Sequence, residues 1–216
     1  MANNLILNMS IRSQKELEIE LSHLKDFAHP SAKLEQYSTP SPIAAEWIWS
    51  MGMKGEITGK KFLDAACGPG ILGLGLLLLG AKKVLFLDKD QAAIDLCTEN
   101  YLHLKQMYKL GQAEFIVKDI ALFEGEVDIV VQNPPFGTKD EHADKRFLEK
   151  AFTVAPIIYS MHKASTLKFV EAIAQDFNYR ITEEWHFDFP IKASFWFHRK
   201  PVKNIDVILF RLEKEK

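Results

Sequence analysis

The sequence predicts an α/β protein: a mostly parallel seven-stranded sheet, helices on both faces, and an antiparallel pair of strands at the end. Three observations carry this. Short apolar runs alternate with helical segments between residues 60 and 177, the pattern of repeated strand–helix units. The last two runs, 179–189 and 203–213, are longer, alternate in polarity and have no helix between them. With 216 residues, 47% of them apolar, the chain suits one sizeable core rather than two.

In order, "SQKELEIELSHLKDF" (13–27) places Leu17, Leu21, Leu24 and Phe27 at helical spacing behind Ser13 as N-cap. A Pro- and Ser-rich connector follows, "HPSAKLEQYSTPSP", and "IAAEWIWSMGM" returns to a helical pattern. "KKFLDAA" reads as the first strand, "ILGLGLLLLG" as a buried helix and "KKVLFLD" as the second strand. "DQAAIDLCTENYLHLKQMYK" is a helix, "AEFIVKD" the third strand and "VDIVVQ" the fourth. "RFLEKAFTVA" is helical, "PIIYSMH" the fifth strand and "STLKFVEAIAQDF" the last helix. No internal repeat or low-complexity stretch interrupts this order.

Charge narrows the function. Lys and Arg number 27 against 29 Asp and Glu, so contact with nucleic acid is expected through a local patch, not a basic surface. Two cysteines, Cys67 and Cys97, suit a reduced interior and form neither a disulfide framework nor a metal cluster. The start "MANNLILNMS" lacks the charged and apolar regions of a signal peptide, and "GILGLGLLLLG" (70–80) is too short to span a bilayer. A cytoplasmic protein is expected.

The first strand runs into "DAACGPGILG" (64–73), in which Gly68, Gly70 and Gly73 match G-x-G-x-x-G and Asp88 ends the next strand. Taken alone, a dinucleotide site and a plain strand-to-helix turn both fit this loop. Asp64 tilts the choice, because an acid just before the loop repels a pyrophosphate. It suits a cofactor with an ammonium group and no phosphate, and S-adenosylmethionine is such a molecule. Asp88 can then accept from both ribose hydroxyls. Asp119 by itself reads as a strand-end capping acid; with such a cofactor it would accept from the adenine amine, with Ile120 against the ring.

"NPPFGTK" (133–139) emerges from the fourth strand. Two prolines can simply end a strand, but an Asn on a rigid backbone beside an aromatic ring can also hold a flat polar substrate. With "LEQYSTP" (34–40), "DAACGPGILG", "LDKD" (87–90), "IYSMHKAST" (158–166) and "ASFWFHRK…IDVILF", this makes the chain resemble the methyltransferase-like protein 5 family. These are ribosomal-RNA adenine N6-methyltransferases of the Rossmann-like class I, S-adenosylmethionine-dependent type. One departure is Ala66, which stands where the family's loop has its first glycine.

The resemblance implies one methyltransferase domain over 1–216, with N-terminal helices and cofactor lid in 1–55 and a catalytic core in 56–216. Gln36, Tyr37 and Thr39 would close over the cofactor, with Asp64, Cys67, Gly68, Gly70, Asp88, Asp119, Ile120 and Asn133 against it. Asn133 and Pro134 would offer paired acceptors to an adenine amine, Pro135 would fix the turn, and Phe136 would stack on a flipped base. Lys139 would meet phosphate, and His162 and Lys163 would lie at the pocket rim. The patch Lys192, Phe195, His198, Arg199 and Lys200 would hold unstacked RNA; the same residues equally make a solvated hairpin turn over core aromatics.

The third strand is expected at a sheet edge, where the family's small zinc-binding methyltransferase-activator subunit would pair. Methylation of a guanine amine or a protein glutamine amide, and an RNA-binding assembly factor without turnover, remain compatible with these motifs.

Overall fold

The computed structural model describes residues 10–31, 35–136, 143–192 and 202–215. Seven strands form one sheet in the order β3-β2-β1-β4-β5-β7-β6. β1 (Lys61–Ala65), β2 (Lys83–Asp88), β3 (Gln112–Val117), β4 (Ile129–Gln132) and β5 (Ile157–Lys163) are parallel. β7 (Val202–Lys214) runs antiparallel to β5 and to β6 (Tyr179–Lys192). The expected sheet, its terminal antiparallel pair and the edge position of β3 are all found.

Strand order reverses between β1 and β4, so the loops leaving their carboxyl ends part and leave a crevice, the usual ligand position in open α/β sheets. On one face α1 (Gln14–Ser22), α2 (Ser41–Met53), α3 (Ile71–Leu78) and α4 (Gln91–Lys105) pack over Phe62, Val84, Phe86 and Val131. On the other, α5 (Ala143–Val154) and α6 (Leu167–Asp176) cover Leu63, Leu85, Val130 and Ile158. The alternation of these residues between faces is the two-residue period of a strand buried on both sides.

Ser13 caps α1, its hydroxyl accepting from the Glu16 amide at 3.1 Å. The helix stops at Ser22, short of the expected Phe27. Tertiary hydrogen bonds take over there: the Lys25 amide donates to Asn100 Oδ1, and Asn100 Nδ2 donates to the Lys25 carbonyl, each at 2.9 Å. Leu24 still packs on the core, and Phe27 turns to the crevice. α4 likewise ends at Lys105 rather than near residue 109, and α5 begins at Ala143, ahead of the expected Arg146.

β6 and β7 outrun the sheet. β5 pairs with β7 only as far as Lys163↔Val207, whereas β6 and β7 continue through Asp188↔Asp206 to Lys192↔Val202. A two-stranded ribbon therefore projects past the carboxyl ends of the parallel strands, on the side of the crevice.

Candidate active site

The glycine turn after β1 is wired to two acids. Asp64 is 1% exposed, and its Oδ2 accepts from the Gly73 amide at 2.8 Å. Asp88 Oδ2 accepts from the Gly68 amide and its Oδ1 from the Asp90 amide, both at 3.0 Å. The Cys67 and Gly70 amides are committed to the Leu87 and Cys67 carbonyls. The amides a pyrophosphate would need are thus largely occupied. Burial pushes the Asp64 carboxyl up to about 7, with Asp88 raising it further and the Gly73 amide opposing. Asp88 is also raised, again chiefly by burial. Two desolvated acids on one wall favour a ligand bearing a cation and hydroxyl donors.

Backbone conformation matters at two points of this turn. Gly70 has φ +89, and a Cβ there would collide with Cys97 Sγ. Ala66 adopts φ +57, so alanine takes the left-handed conformation that the first glycine of such a loop ordinarily supplies, at a cost of about 1–2 kcal/mol. Cys67 and Cys97 are free and buried, and burial raises the Cys67 thiol well above its ordinary value, with Cys97 adding to the effect.

The connector closes the crevice from the N-terminal side. Gln36 Nε2 donates to Asp90 Oδ2 at 2.7 Å, while its Oε1 accepts from the Ser31 amide. Tyr37 and Thr39 line the cavity with Asp64, Cys67, Gly68, Asp88, Asp119, Ile120, Asn133 and Pro135. Asp119 also caps a short 3-10 turn by accepting from the Ala121 amide at 2.9 Å, the strand-end capping role. Phe27, Lys118 and Arg146 line the same cavity without having been singled out in the sequence. Phe27 and Arg146 carried only helical patterns there, and Lys118 is marked only by its place beside Asp119.

At the mouth of β4, Asn133 Nδ2 donates to Thr39 Oγ1 at 3.0 Å. Its carboxamide oxygen Oδ1 is buried and has no hydrogen-bond partner. Such an acceptor costs about 1–3 kcal/mol of lost solvation, a cost that a docking donor relieves.

Two expectations need correction. Phe136 is only 7% exposed and packs edge-to-face on Phe189 of β6, with centroids 5.7 Å apart; in this conformation it anchors the motif to the ribbon and offers no open stacking face. His162 is 1% exposed and bonded to Ser160, so it lies beneath the site and not at its rim. Burial by α5 and Phe210 of β7 explains this. Lys163 closes β5, its carbonyl accepting from Thr166 Oγ1. Lys139, Phe195, His198, Arg199 and Lys200 lie outside the described residues, as does the side chain of Lys192.

A family model, the methyltransferase small domain, matches residues 50–158. The chain is 33% identical to the rRNA N(6)-adenosine-methyltransferase Mettl5 of Drosophila melanogaster over 207 residues, 92% of this chain and 95% of the relative. The chain belongs to this family. An uncharacterized protein of Methanocaldococcus jannaschii is also 33% identical, over 93% of this chain and 94% of its own length. The crystal structure of a Pyrococcus horikoshii protein, provisionally assigned as an RNA methyltransferase, superposes with a TM-score of 0.87 at 38% identity. It covers 95% of this chain and 100% of that one.

The chain is a class I methyltransferase, and its cavity at the β1–β4 divide is walled by Asp64 and Asp88. The buried acids and the committed loop amides fit S-adenosylmethionine better than a dinucleotide. No helix of the described residues is long and apolar enough to cross a membrane.

Proposed function

We propose that this protein methylates the exocyclic N6 of an adenosine in RNA, with small-subunit ribosomal RNA as substrate, in the cytoplasm. The observation that carries the reading is the unpaired, buried Asn133 Oδ1 at the edge of a crevice walled by Asp64 and Asp88. When bound, S-adenosylmethionine supplies an electrophilic methyl group on a sulfonium.

An adenine amine is a poor nucleophile because its lone pair is delocalised into the ring. Asn133 Oδ1 and the Pro134 carbonyl would accept its two N–H bonds and draw the lone pair out of conjugation. Pro135 holds that backbone in place. With Thr39 Oγ1 accepting from Nδ2, Oδ1 is left for the amine. The amine proton is acidified by methylation and leaves to solvent without a strong base. Gln36 and Tyr37 would cover the cofactor, Asp64 would meet its ammonium, Asp88 its ribose, and Asp119 with Ile120 its adenine. Lys139, Lys163 and the segment from Lys192 to Lys200 hold the RNA.

Mass spectrometry of ribosomal-RNA nucleosides from cells with and without the protein tests this. The expected result is loss of one N6-methyladenosine and its return on complementation; unchanged N6-methyladenosine overturns the reading. In vitro, Asn133→Ala should lower methyl transfer by at least about 100-fold while cofactor affinity, read by calorimetry, stays within about threefold.

The proposal extends to a partner. β3 is an edge strand of mixed exposure, with Val117 44% exposed, and an unpaired edge accepts a strand from another chain. The small zinc-binding activator subunit of the family would dock there. Gel filtration of the two proteins together should give one complex; two separate peaks would remove this part.

A further inference from the structure

The catalytic reading uses Asn133 and leaves unexplained a row of polar side chains buried behind it. Gln132, Ser160 and His162 are all buried in a largely apolar sheet. Uncompensated, each such group costs stability. They compensate one another in part across two strands, Gln132 Oε1 and His162 Nδ1 being left without a hydrogen-bond partner: Gln132 and Ser160 are register partners of β4 and β5, and His162 lies two residues along β5, on the same face.

Gln132 Nε2 donates to Ser160 Oγ at 2.9 Å. The Ser160 hydroxyl and His162 Nε2 are hydrogen-bonded at 2.6 Å, and a carboxylate opposite the other ring nitrogen favours the tautomer with the ring proton on Nδ1. Nδ1 faces Asp144 Oδ2 at 3.5 Å. Asp144 opens α5, and its Oδ1 accepts from the Lys145 amide. Burial alone would raise the Asp144 carboxyl, but His162 and the Lys145 amide hold it below its ordinary value. The carboxylate thus faces the protonated ring nitrogen, and Phe210 flanks the ring, with centroids 6.0 Å apart.

The positions of the two ends matter. Gln132 immediately precedes Asn133, and Asp144 lies at the start of the helix that follows the N-P-P-F segment. The row therefore fastens both ends of the motif-bearing segment to the same strand. Fastening Gln132 and Asp144 restricts the placement of Asn133 and Pro134 beside the first of them, and a displacement of about 1 Å at a reacting group can cost about 100-fold in rate.

We propose that His162 is a positioning residue for methyl transfer: through Ser160–Gln132 on one side and Asp144 on the other, it clamps the segment carrying Asn133 and Pro134 to β5. It does not touch RNA. The inference rests on the methyltransferase reading for its kinetic consequence but not for the clamp itself.

The test combines hydrogen-exchange mass spectrometry of the peptide covering 129–136 with single-turnover kinetics, for the wild type, His162→Ala, His162→Gln and Asp144→Ala. A Gln side chain can accept from Ser160 and donate towards Asp144. Exchange in that peptide should quicken about 10-fold or more in both alanine variants and return towards wild type in His162→Gln. The rate of methyl transfer at saturating RNA should fall about 10- to 100-fold in His162→Ala, with partial recovery in His162→Gln and unchanged cofactor affinity.

Asp144→Ala, at a helix start, keeps the test decisive if His162→Ala does not fold. Unchanged exchange in the alanine variants overturns the clamp. So does a loss of RNA affinity at undiminished saturated rate, which would return His162 to the rim. If the wild type transfers no methyl group to adenine, the functional reading fails, and the exchange measurement still decides the clamp.

Discussion

Asp64 sits where burial and function pull in opposite directions. Its carboxyl is raised from the ordinary 3.8 to about 7, so between these values the folded chain holds a proton that the unfolded chain has lost. Stability therefore falls as pH rises from about 4 to about 7, by on the order of 4 kcal/mol in all, and levels off above. A ligand cation reverses the balance by favouring the ionised form. Cofactor binding at pH 6–7 should release up to about one proton, and affinity should rise with pH until the carboxyl is ionised. Calorimetry in buffers of different ionisation enthalpy reads this directly, and Asp64→Asn should abolish the buffer dependence. The acids Asp64 and Asp88 were legible in the sequence because strand ends and glycine spacing mark them. Asn100, which ties Lys25 and the Pro69 carbonyl together, was not, since nothing local distinguishes a buried Asn on a helix from a surface one. Ala66 was legible as a departure, but only the φ of +57 shows that the loop keeps its shape. Ala66→Gly should leave cofactor binding intact and shift stability by less than about 1 kcal/mol, the relief of strain being offset by a freer unfolded chain.

The β1–α3–β2 unit depends on close approach of its parts. A Cβ at Gly73 would overlap the Phe86 ring and come within 2.9 Å of Asp64 Oδ2, and one at Gly75 would overlap Ile48. Gly73→Ala should cost about 1–3 kcal/mol through overpacking and weaken cofactor binding by displacing Asp64, measured by urea denaturation and calorimetry. Here the sequence carried the right element with half of its reason: the glycines serve the turn, but Gly73 and Gly75 serve packing. The parallel strands were legible because each is a short apolar run, and β6 and β7 because they are longer and alternate in polarity. Helix ends were not: beyond α1 the Asn100 side chain takes over the Lys25 backbone, and α4 closes in turns on its own His103 and Leu104 carbonyls. The Phe136 side chain was misplaced for a similar reason. Its neighbour Phe189 lies 53 residues away in sequence, and no local pattern pairs them.

Across the whole molecule, the long β6–β7 ribbon and the N-terminal connector meet the core at the same end. Phe189 is fully buried on the ribbon and carries Phe136, so Phe189→Ala should cost about 3–5 kcal/mol and slow methyl transfer more than it weakens cofactor binding. Global stability by denaturation and a kcat-against-KM comparison check the two parts. The ribbon was foreseen as a hairpin but not its extension past β5, because pairing length is set by tertiary register. Among the described residues, ties that hold the N-terminal segment include the Lys25 backbone to Asn100, Gln36 to Asp90, and Thr39 to Asn133. Two of them end on residues that line or border the cofactor crevice. Linkage is reciprocal, so whatever factor the docked connector adds to cofactor affinity, the cofactor must return as resistance of the connector to detachment. The described part of the connector is then a built-in gauge of occupancy: its protection from proteolysis reports how full the crevice is, without any methyl group being transferred.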